Sequence, residues 1–282
     1  MQLEKILPAN GPSIDEVQKY IYKYSEDIIV IKCGGSVLLD NSLFNQFIED
    51  MCVINKLGLS AVVIHGGGKN IKKKLDEKNI ESNFIDGLRV TDEKTIQVVE
   101  EALIELNSEI VNNLNNLNVT GYSITPKKNN IIKIKAERKE LGYVGFPKSI
   151  NGEEIINLIN QKKIPIIVPM GIGDDEKLYN INADVLAGSI AKQLEARRLL
   201  LMTDVEGVLD QDKELITEIN SDVAKKMLEK QIISGGMIPK INTCLDAVNN
   251  GVTGVVIVDG RKSHSILFEL FSDKGAGTLI RK

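Results

Sequence analysis

Two lysines, each close to a pair of glycines, are the residues of this 282-residue chain best suited to handling a phosphate. Lys32 stands just ahead of Gly34 and Gly35, where a backbone without Cβ atoms lets an anion come close and an ammonium group can place a point charge on it. A lysine beside a Gly-Gly turn also occurs for structural reasons alone. Lys240 ends the stretch Gly235-Gly236-Met237-Ile238-Pro239-Lys240, which reads equally as a flexible loop with a solvated lysine. His65-Gly66-Gly67-Gly68 lies between an apolar run and a helix expected from about Lys69, the setting in which backbone N–H groups cradle an anion. Its other reading is a tight strand-to-helix turn. The spacing fits neither a G-x-G-x-x-G fingerprint nor a Walker A loop.

A second set of residues is acidic, amidic or bidentate. Asn180-Ile181-Asn182-Ala183-Asp184 gathers two amides and a carboxylate ahead of a helix, with Asn182 or Asp184 available to cap it. Thr203-Asp204, followed by Gly207-Val208, closes another apolar run in a common turn pattern. Arg89, in Gly87-Leu88-Arg89-Val90-Thr91, is either an ordinary surface arginine or a bidentate clamp for a carboxylate.

The elements that would carry these residues alternate along the chain. Apolar, β-branched runs at 28–31, 61–64, 164–168, 199–202 and 255–258 read as buried strands. Ile96, Val99, Leu103, Leu106, Ile110, Leu114 and Leu117 recur at helical spacing after Thr91 or Asp92 as N-cap, and a second helix runs from Asp184 through Leu186, Ile190 and Leu194. Such alternation predicts an α/β fold, an open and mostly parallel sheet sandwiched by helices, which binds ligands at the carboxyl ends of its strands. Each of the five runs ends in glycines, polar residues or charges, so the unusual residues should collect on one edge. Residues 125–148 read as a β-hairpin excursion. Ser13 and Glu16 form a capping box ahead of the stripe Ile14, Val17 and Ile21, which predicts an extra helix within residues 1–25. Two lobes are expected, 26–171 and 172–282.

Composition narrows the partners. The net charge of −4 comes from 35 basic and 39 acidic residues mixed along the chain, leaving no basic stripe for nucleic acid. The apolar runs are far below the roughly 20 residues that span a bilayer, so no membrane partner is expected. Residues 1–10 carry Glu4 and lack both a signal core and transit-peptide character, which predicts a protein that stays where it is made. Cys33, Cys52 and Cys244 form no C-x-x-C pattern and argue against disulfides and structural zinc. Richness in Lys, Asn and Ile with no Trp points to an AT-rich genome, bacterial or organellar, hence a cytoplasmic location or a plastid stroma.

Taken together, and in this order, the motifs from Ile28 to Ile280 resemble the amino-acid kinase family. Within it, Gly87-Leu88-Arg89-Val90-Thr91 and Asn180-Ile181-Asn182-Ala183-Asp184 are similar to members that phosphorylate N-acetyl-L-glutamate, rather than to aspartate, carbamate, glutamate or uridylate kinases. The resemblance implies that 26–171 is the acetylglutamate-binding lobe and 172–282 the ATP-binding lobe, and that Gly67, Gly68, Arg89 and Asn180 hold the acetylglutamate. It implies further that Lys32 and Lys240 flank the transferring phosphoryl group, that Asp184 orients both lysines, and that Gly34, Gly35, Asn182, Thr203 and Asp204 lie near the nucleotide or its phosphates. Magnesium would arrive on the ATP. A carboxylate nucleophile with a pKa of about 4.3 is ionised at neutral pH and needs no general base, so no catalytic histidine is expected. What such a reaction needs is alignment of two repelling anions and positive charge on the equatorial oxygens.

Cys33 and Ser36 around the first lysine, and Lys69-Asn70 after the glycine loop, depart from the commonest family pattern. The family's arginine-inhibited members carry an extra N-terminal helix and a C-terminal segment that resembles residues 264–278, including Glu269 and Gly275-Ala276-Gly277-Thr278. That likeness implies feedback inhibition by L-arginine and a homo-oligomer, a hexamer built from dimers joined through residues 1–25. A nitrogen-status regulatory protein partners some relatives, though no residue here singles it out. The rival readings are a kinase for another acyl acceptor, such as acetylaminoadipate, and a non-catalytic sensor on the same fold.

Overall fold

The computed structural model describes residues 3–282. Helix α1 (Ile14–Tyr20) starts from the expected capping box, with the Ser13 hydroxyl accepting from the Glu16 N–H and the Glu16 carboxylate accepting from the Ser13 N–H. Strand β1 (Ile28–Cys33) leads through a 3₁₀ turn to α2 (Asn41–Lys56), and β2 (Ser60–His65) leads to α3 (Gly68–Glu77). A small hairpin follows, β3 (Phe84–Ile85) and β4 (Leu88–Arg89), turned by Asp86 and Gly87, both at positive φ as a two-residue hairpin loop requires. Then come α4 (Glu93–Asn116), capped by Asp92 rather than Thr91, β5 (Gly121–Ile124) and the short α5 (Pro126–Asn129).

The excursion predicted at 125–148 pairs β6 (Ile132–Ala136) with β7 (Gly145–Ile150) in antiparallel fashion. After α6 (Gly152–Asn160) and β8 (Ile164–Ile167), strands β9 (Met170–Gly173) and β10 (Leu178–Asn180) join that pair as a four-stranded sheet. Residue 172, the expected lobe boundary, lies inside β9, which pairs with both β6 and β10. The chain continues through α7 (Ala183–Gln193), β11 (Arg198–Thr203), β12 (Glu218–Asn220), α8 (Ser221–Glu229), α9 (Met237–Asn249), β13 (Val255–Asp259), α10 (Ser265–Phe271) and β14 (Gly277–Arg281).

All five runs read as strands lie in one eight-stranded sheet of order β12-β14-β13-β11-β1-β2-β8-β5. Its pairings are parallel except that of β14 with β13. Strand residues alternate between its two faces. Val30, Val62, Leu199 and Val255 pack with Leu186 and Ile190 of α7 and Ile241 of α9. Ile29, Ile31, Leu200 and Val256 pack with Met51 of α2, Ile110 of α4 and Phe271 of α10. Both faces are thus covered, which is why the central strands are apolar throughout instead of alternating with polar residues. Because β1, β2, β8, β11 and β13 run the same way, their carboxyl ends gather on one edge. No helix among the described residues is long and apolar enough to cross a membrane.

Candidate functional site

Three charges converge at the carboxyl edge of the sheet. Lys32 comes from the end of β1, Asp184 from the first turn of α7 and Lys240 from the first turn of α9. Asp184 lies between the lysines, with Oδ1 3.0 Å from Lys32 Nζ and Oδ2 2.5 Å from Lys240 Nζ. All three side chains are largely buried. Burial penalises the Asp184 carboxylate, but the ammonium groups of Lys32 and Lys240 outweigh that penalty and hold its pKa down at about 2. The cap of α7 is Asn182, whose side-chain oxygen accepts from the N–H groups of Asp184 at 2.9 Å and Val185 at 3.3 Å. Asp184 is therefore free to face the lysines.

The glycines are needed for close approach. A Cβ on Gly34 would lie 2.7 Å from Lys32 Nζ, and one on Gly35, whose φ is +65°, would lie 2.4 Å from Asp204 Oδ1. Asp204 Oδ1 accepts from the Ser36 N–H at 2.8 Å, and Asp204 Oδ2 lies 3.6 Å from Lys69 Nζ. Burial opposes the Asp204 charge, while Ser36 and then Lys69 leave its carboxyl below the usual range. Thr203, just before it, accepts the Gly260 N–H at its carbonyl, 2.9 Å away.

Facing this cluster is a different kind of charge. Arg89 is 8% exposed, yet no carboxylate among the described residues comes within 4.0 Å of it. Its guanidinium donates to the Ser82 hydroxyl and, at 3.0 Å, to the Gly68 carbonyl, and it sits 4.7 Å from the centre of the Phe84 ring. Between the two groups lies a cavity of about 250 Å³. Lys32, Gly34, Gly35, Gly67, Gly68, Arg89, Asn180, Asn182 and Asp184 all line it, with Leu103, Val144, Pro169 and Ile181 as its apolar wall. A second cavity of about 340 Å³ shares Gly35, Gly67, Gly68, Phe84 and Arg89 with it and adds Lys69 and Lys72. Lys240 reaches the site through Asp184; Asp204 stands against the Gly35 turn and Thr203 beside Gly260, neither in the cavity wall.

Sequence reasoning passed over Ser82, Phe84 and Asn107. An aromatic residue beside an Asp-Gly hairpin turn gave a usable signal for Phe84. Asn107 interrupts an apolar stripe, one turn after Leu103 on the buried face of α4, and is itself fully buried. It donates to the Ile166 carbonyl at 2.9 Å and lies 3.2 Å from His65 Nε2.

The sequence profile of the amino acid kinase family matches residues 27–259. The chain is 56% identical over 281 residues to an acetylglutamate kinase of Pelagibacter ubique, covering 100% of this chain and 98% of the relative. It is 45% identical to an acetylglutamate kinase of Caldanaerobacter subterraneus, covering 95% and 91%. Among solved structures, a Streptococcus mutans protein aligns with a TM-score of 0.77 at 30% identity, over 90% of this chain and 98% of that one. The N-acetylglutamate synthase of Neisseria gonorrhoeae, complexed with coenzyme A and N-acetyl-glutamate, shares the fold with a TM-score of 0.86 at 22% identity, over 96% of this chain and 64% of that one.

Proposed function

The chain belongs to the amino acid kinase family, and from that premise we propose that it transfers the γ-phosphoryl group of ATP to the side-chain carboxylate of N-acetyl-L-glutamate, a step of arginine biosynthesis. The observation that carries this reading is the cavity with a carboxylate-held lysine pair at one end and, at the other, a buried arginine that has no counter-charge among the described residues. An acceptor with two carboxylates suits it: Arg89 takes the α-carboxylate, and the side-chain carboxylate points at the lysines.

On this reading Gly67, Gly68, Arg89 and Asn180 hold acetylglutamate, Lys32 and Lys240 place positive charge on the transferring phosphoryl group, and Asp184 keeps both ammonium groups in register. Gly34 and Gly35 bring backbone close to the phosphates, Asn182 fixes the start of α7, Asp204 braces the Gly35 turn, and Thr203 precedes it on the nucleotide side. The lysines, the oriented N–H groups and the Asp204 carboxylate are a donor set suited to a nucleotide that carries its own Mg²⁺, which adds charge neutralisation on the phosphate oxygens. The attacking carboxylate is already ionised, so no side chain has to take a proton.

ADP release with ATP and Mg²⁺ tests the proposal, with acetylglutamate, glutamate, aspartate and acetylaminoadipate compared as acceptors. Turnover on acetylglutamate alone is expected. Turnover on another acid moves the specificity, and none on any acid sinks the catalytic reading in favour of a sensor.

We also propose inhibition by L-arginine and a hexamer built from dimers, in the cytoplasm or a plastid stroma. The support is local. Tyr24, just after α1, packs edge-on against Phe271 of α10, and Lys19 holds Asp273 at 2.5 Å, so the N-terminal segment rests on the C-terminal one. There Glu269, held at a raised pKa mainly by burial, accepts the Ala276 N–H at 2.8 Å and offers a carboxylate to a cationic ligand. Deletion of residues 1–25 should abolish arginine sensitivity and leave dimers, and unchanged inhibition in that truncation removes the idea.

A further inference from the structure

The glycine loop has no side chain to fix how its peptides face, yet one of its residues, Gly66, is held at both its N–H and its carbonyl. The Gly66 N–H donates to the Cys33 carbonyl at 2.6 Å, and the Gly66 carbonyl accepts from His65 Nδ1 at 2.8 Å. We propose that the buried His65–Asn107 pair is a positioning device for this loop, turning the Gly66–Gly67 peptide so that the Gly67 N–H faces the cavity and meets the reacting oxygens. The proposal rests on the phosphoryl-transfer reading above.

The proton arrangement follows from the partners. The Ile166 carbonyl only accepts, so the Asn107 atom facing it is Nδ2, and the second Nδ2 hydrogen goes to His65 Nε2. Nε2 therefore accepts. In a neutral ring the proton then sits on Nδ1, which faces another acceptor, the Gly66 carbonyl. Burial, which outweighs the bond to Gly66, pulls the ring's pKa down to about 4 and keeps it neutral.

Geometry converts this bond into an orientation at the site. The described residues contain no cis peptide, so the carbonyl and N–H of the Gly66–Gly67 unit point in opposite directions. With the carbonyl turned to the fully buried His65 ring, the Gly67 N–H turns toward the cavity that Gly66, Gly67 and Gly68 line. It has no hydrogen-bond partner among the described residues. The unit borders the reacting end, since a Cβ on Gly66 would lie 3.5 Å from Gly34 Cα and 3.8 Å from Lys32 Cε. Helix α4 fastens the loop twice, through Asn107 and, one turn earlier, through Leu103, whose Cδ2 would lie 2.5 Å from a Cβ on Gly67. Without the His65 bond a run of three glycines is free to flip this peptide and present a carbonyl to an anion.

Two measurements decide the matter. The chain has 2 histidines, so ¹⁵N imidazole spectra of the full-length protein, with His65→Asn as the assignment control, read the His65 tautomer directly. A neutral Nδ1–H ring at pH 7 is expected, and an Nε2–H ring or an imidazolium overturns the proposal whether or not acetylglutamate proves to be the acceptor. In kinetics, His65→Leu should lower kcat about 10- to 100-fold with KM for acetylglutamate moved less than about threefold, as for loss of one oriented donor. His65→Asn, whose amide nitrogen can replace Nδ1, should recover most of that loss. Equal losses in the two folded variants, or a loss confined to KM, overturn it. Wild type that turns over no acceptor removes the proposed function, and the tautomer still decides this point.

Discussion

The two ends of the cavity hold their charges in opposite ways. At one end Lys32 and Lys240 share Asp184 within 3.0 Å, so each lysine has a counter-ion before any ligand arrives and the cluster keeps one net positive charge. At the other, Arg89 is buried with a hydroxyl, a carbonyl and an aromatic ring for company and no counter-charge. A buried cation without a partner is costly, and an incoming carboxylate relieves that cost in the ground state. A compensated cluster gains little from binding a substrate but needs no rearrangement when negative charge develops, so its effect falls on the transition state. On the proposed function, the contrast would give affinity to one end and rate to the other.

Lys240→Ala should show the largest effect, a fall in kcat of about 10²- to 10³-fold with KM for acetylglutamate changed only a few-fold, comparable to removal of one preorganised electrostatic donor. Steady-state kinetics read both numbers. Normal turnover with a raised KM would break the division by moving the lysine to the binding side.

Acid should dismantle the compensated end first. Asp184 has a folded pKa of about 2, below its unfolded value near 3.9, so its contribution is fully present above about pH 4 and disappears as the pH falls toward 2. The amount at stake is about 3 kcal/mol. His65, pulled down to about 4, stabilises the fold above its unfolded pKa near 6.5 and loses that contribution between 6.5 and 4. Urea unfolding across pH 7 to 2 should show both declines, and Asp184→Asn should flatten the lower one alone. A lower decline that persists in the variant places the titrating group elsewhere.

At the uncompensated end, Arg89→Lys keeps the charge and loses the fork. The expected result is a rise in KM for acetylglutamate of about tenfold or more with kcat largely kept, because a bidentate clamp becomes a point charge. An unchanged KM would take Arg89 out of the substrate site.

The sequence made one end far more legible than the other. Strands β1, β2, β8, β11 and β13 are buried on both faces, so they appear as unbroken apolar runs, and the residues after them announce the edge where Lys32, Gly67 and Asp204 collect. β5, β12 and β14 at the sheet margins are short or polar and were not read, since Gly121-Tyr122-Ser123-Ile124 has the composition of a loop. Asn182 and Asp184 both fit the cap of α7 by type, and only the fold shows that Asn182 takes that place and leaves Asp184 to the lysines. Ser82 and Phe84 meet Arg89 across the local β3–β4 hairpin, whereas Asn107 reaches His65 and the Ile166 carbonyl from an element remote in sequence, a return that no pattern of one or two residues encodes.

Phe84 gives the smallest and most discriminating test of the contrast. The ring is 57% exposed, which is unusual for a large apolar side chain, and its burial contributes little to the core. What it touches is the guanidinium, 4.7 Å from the ring centre, where the negative face of the π system compensates part of the Arg89 charge without competing for the N–H donors. An interaction of about 0.5–1 kcal/mol at an exposed site corresponds to a two- to fivefold change in affinity. Phe84→Ala should therefore raise KM for acetylglutamate about two- to fivefold with kcat and the melting temperature essentially unchanged, while Phe84→Tyr keeps the wild-type value. A fall in kcat at constant KM would mean that the hairpin acts on the phosphoryl group rather than on Arg89, and the two ends would no longer be separable.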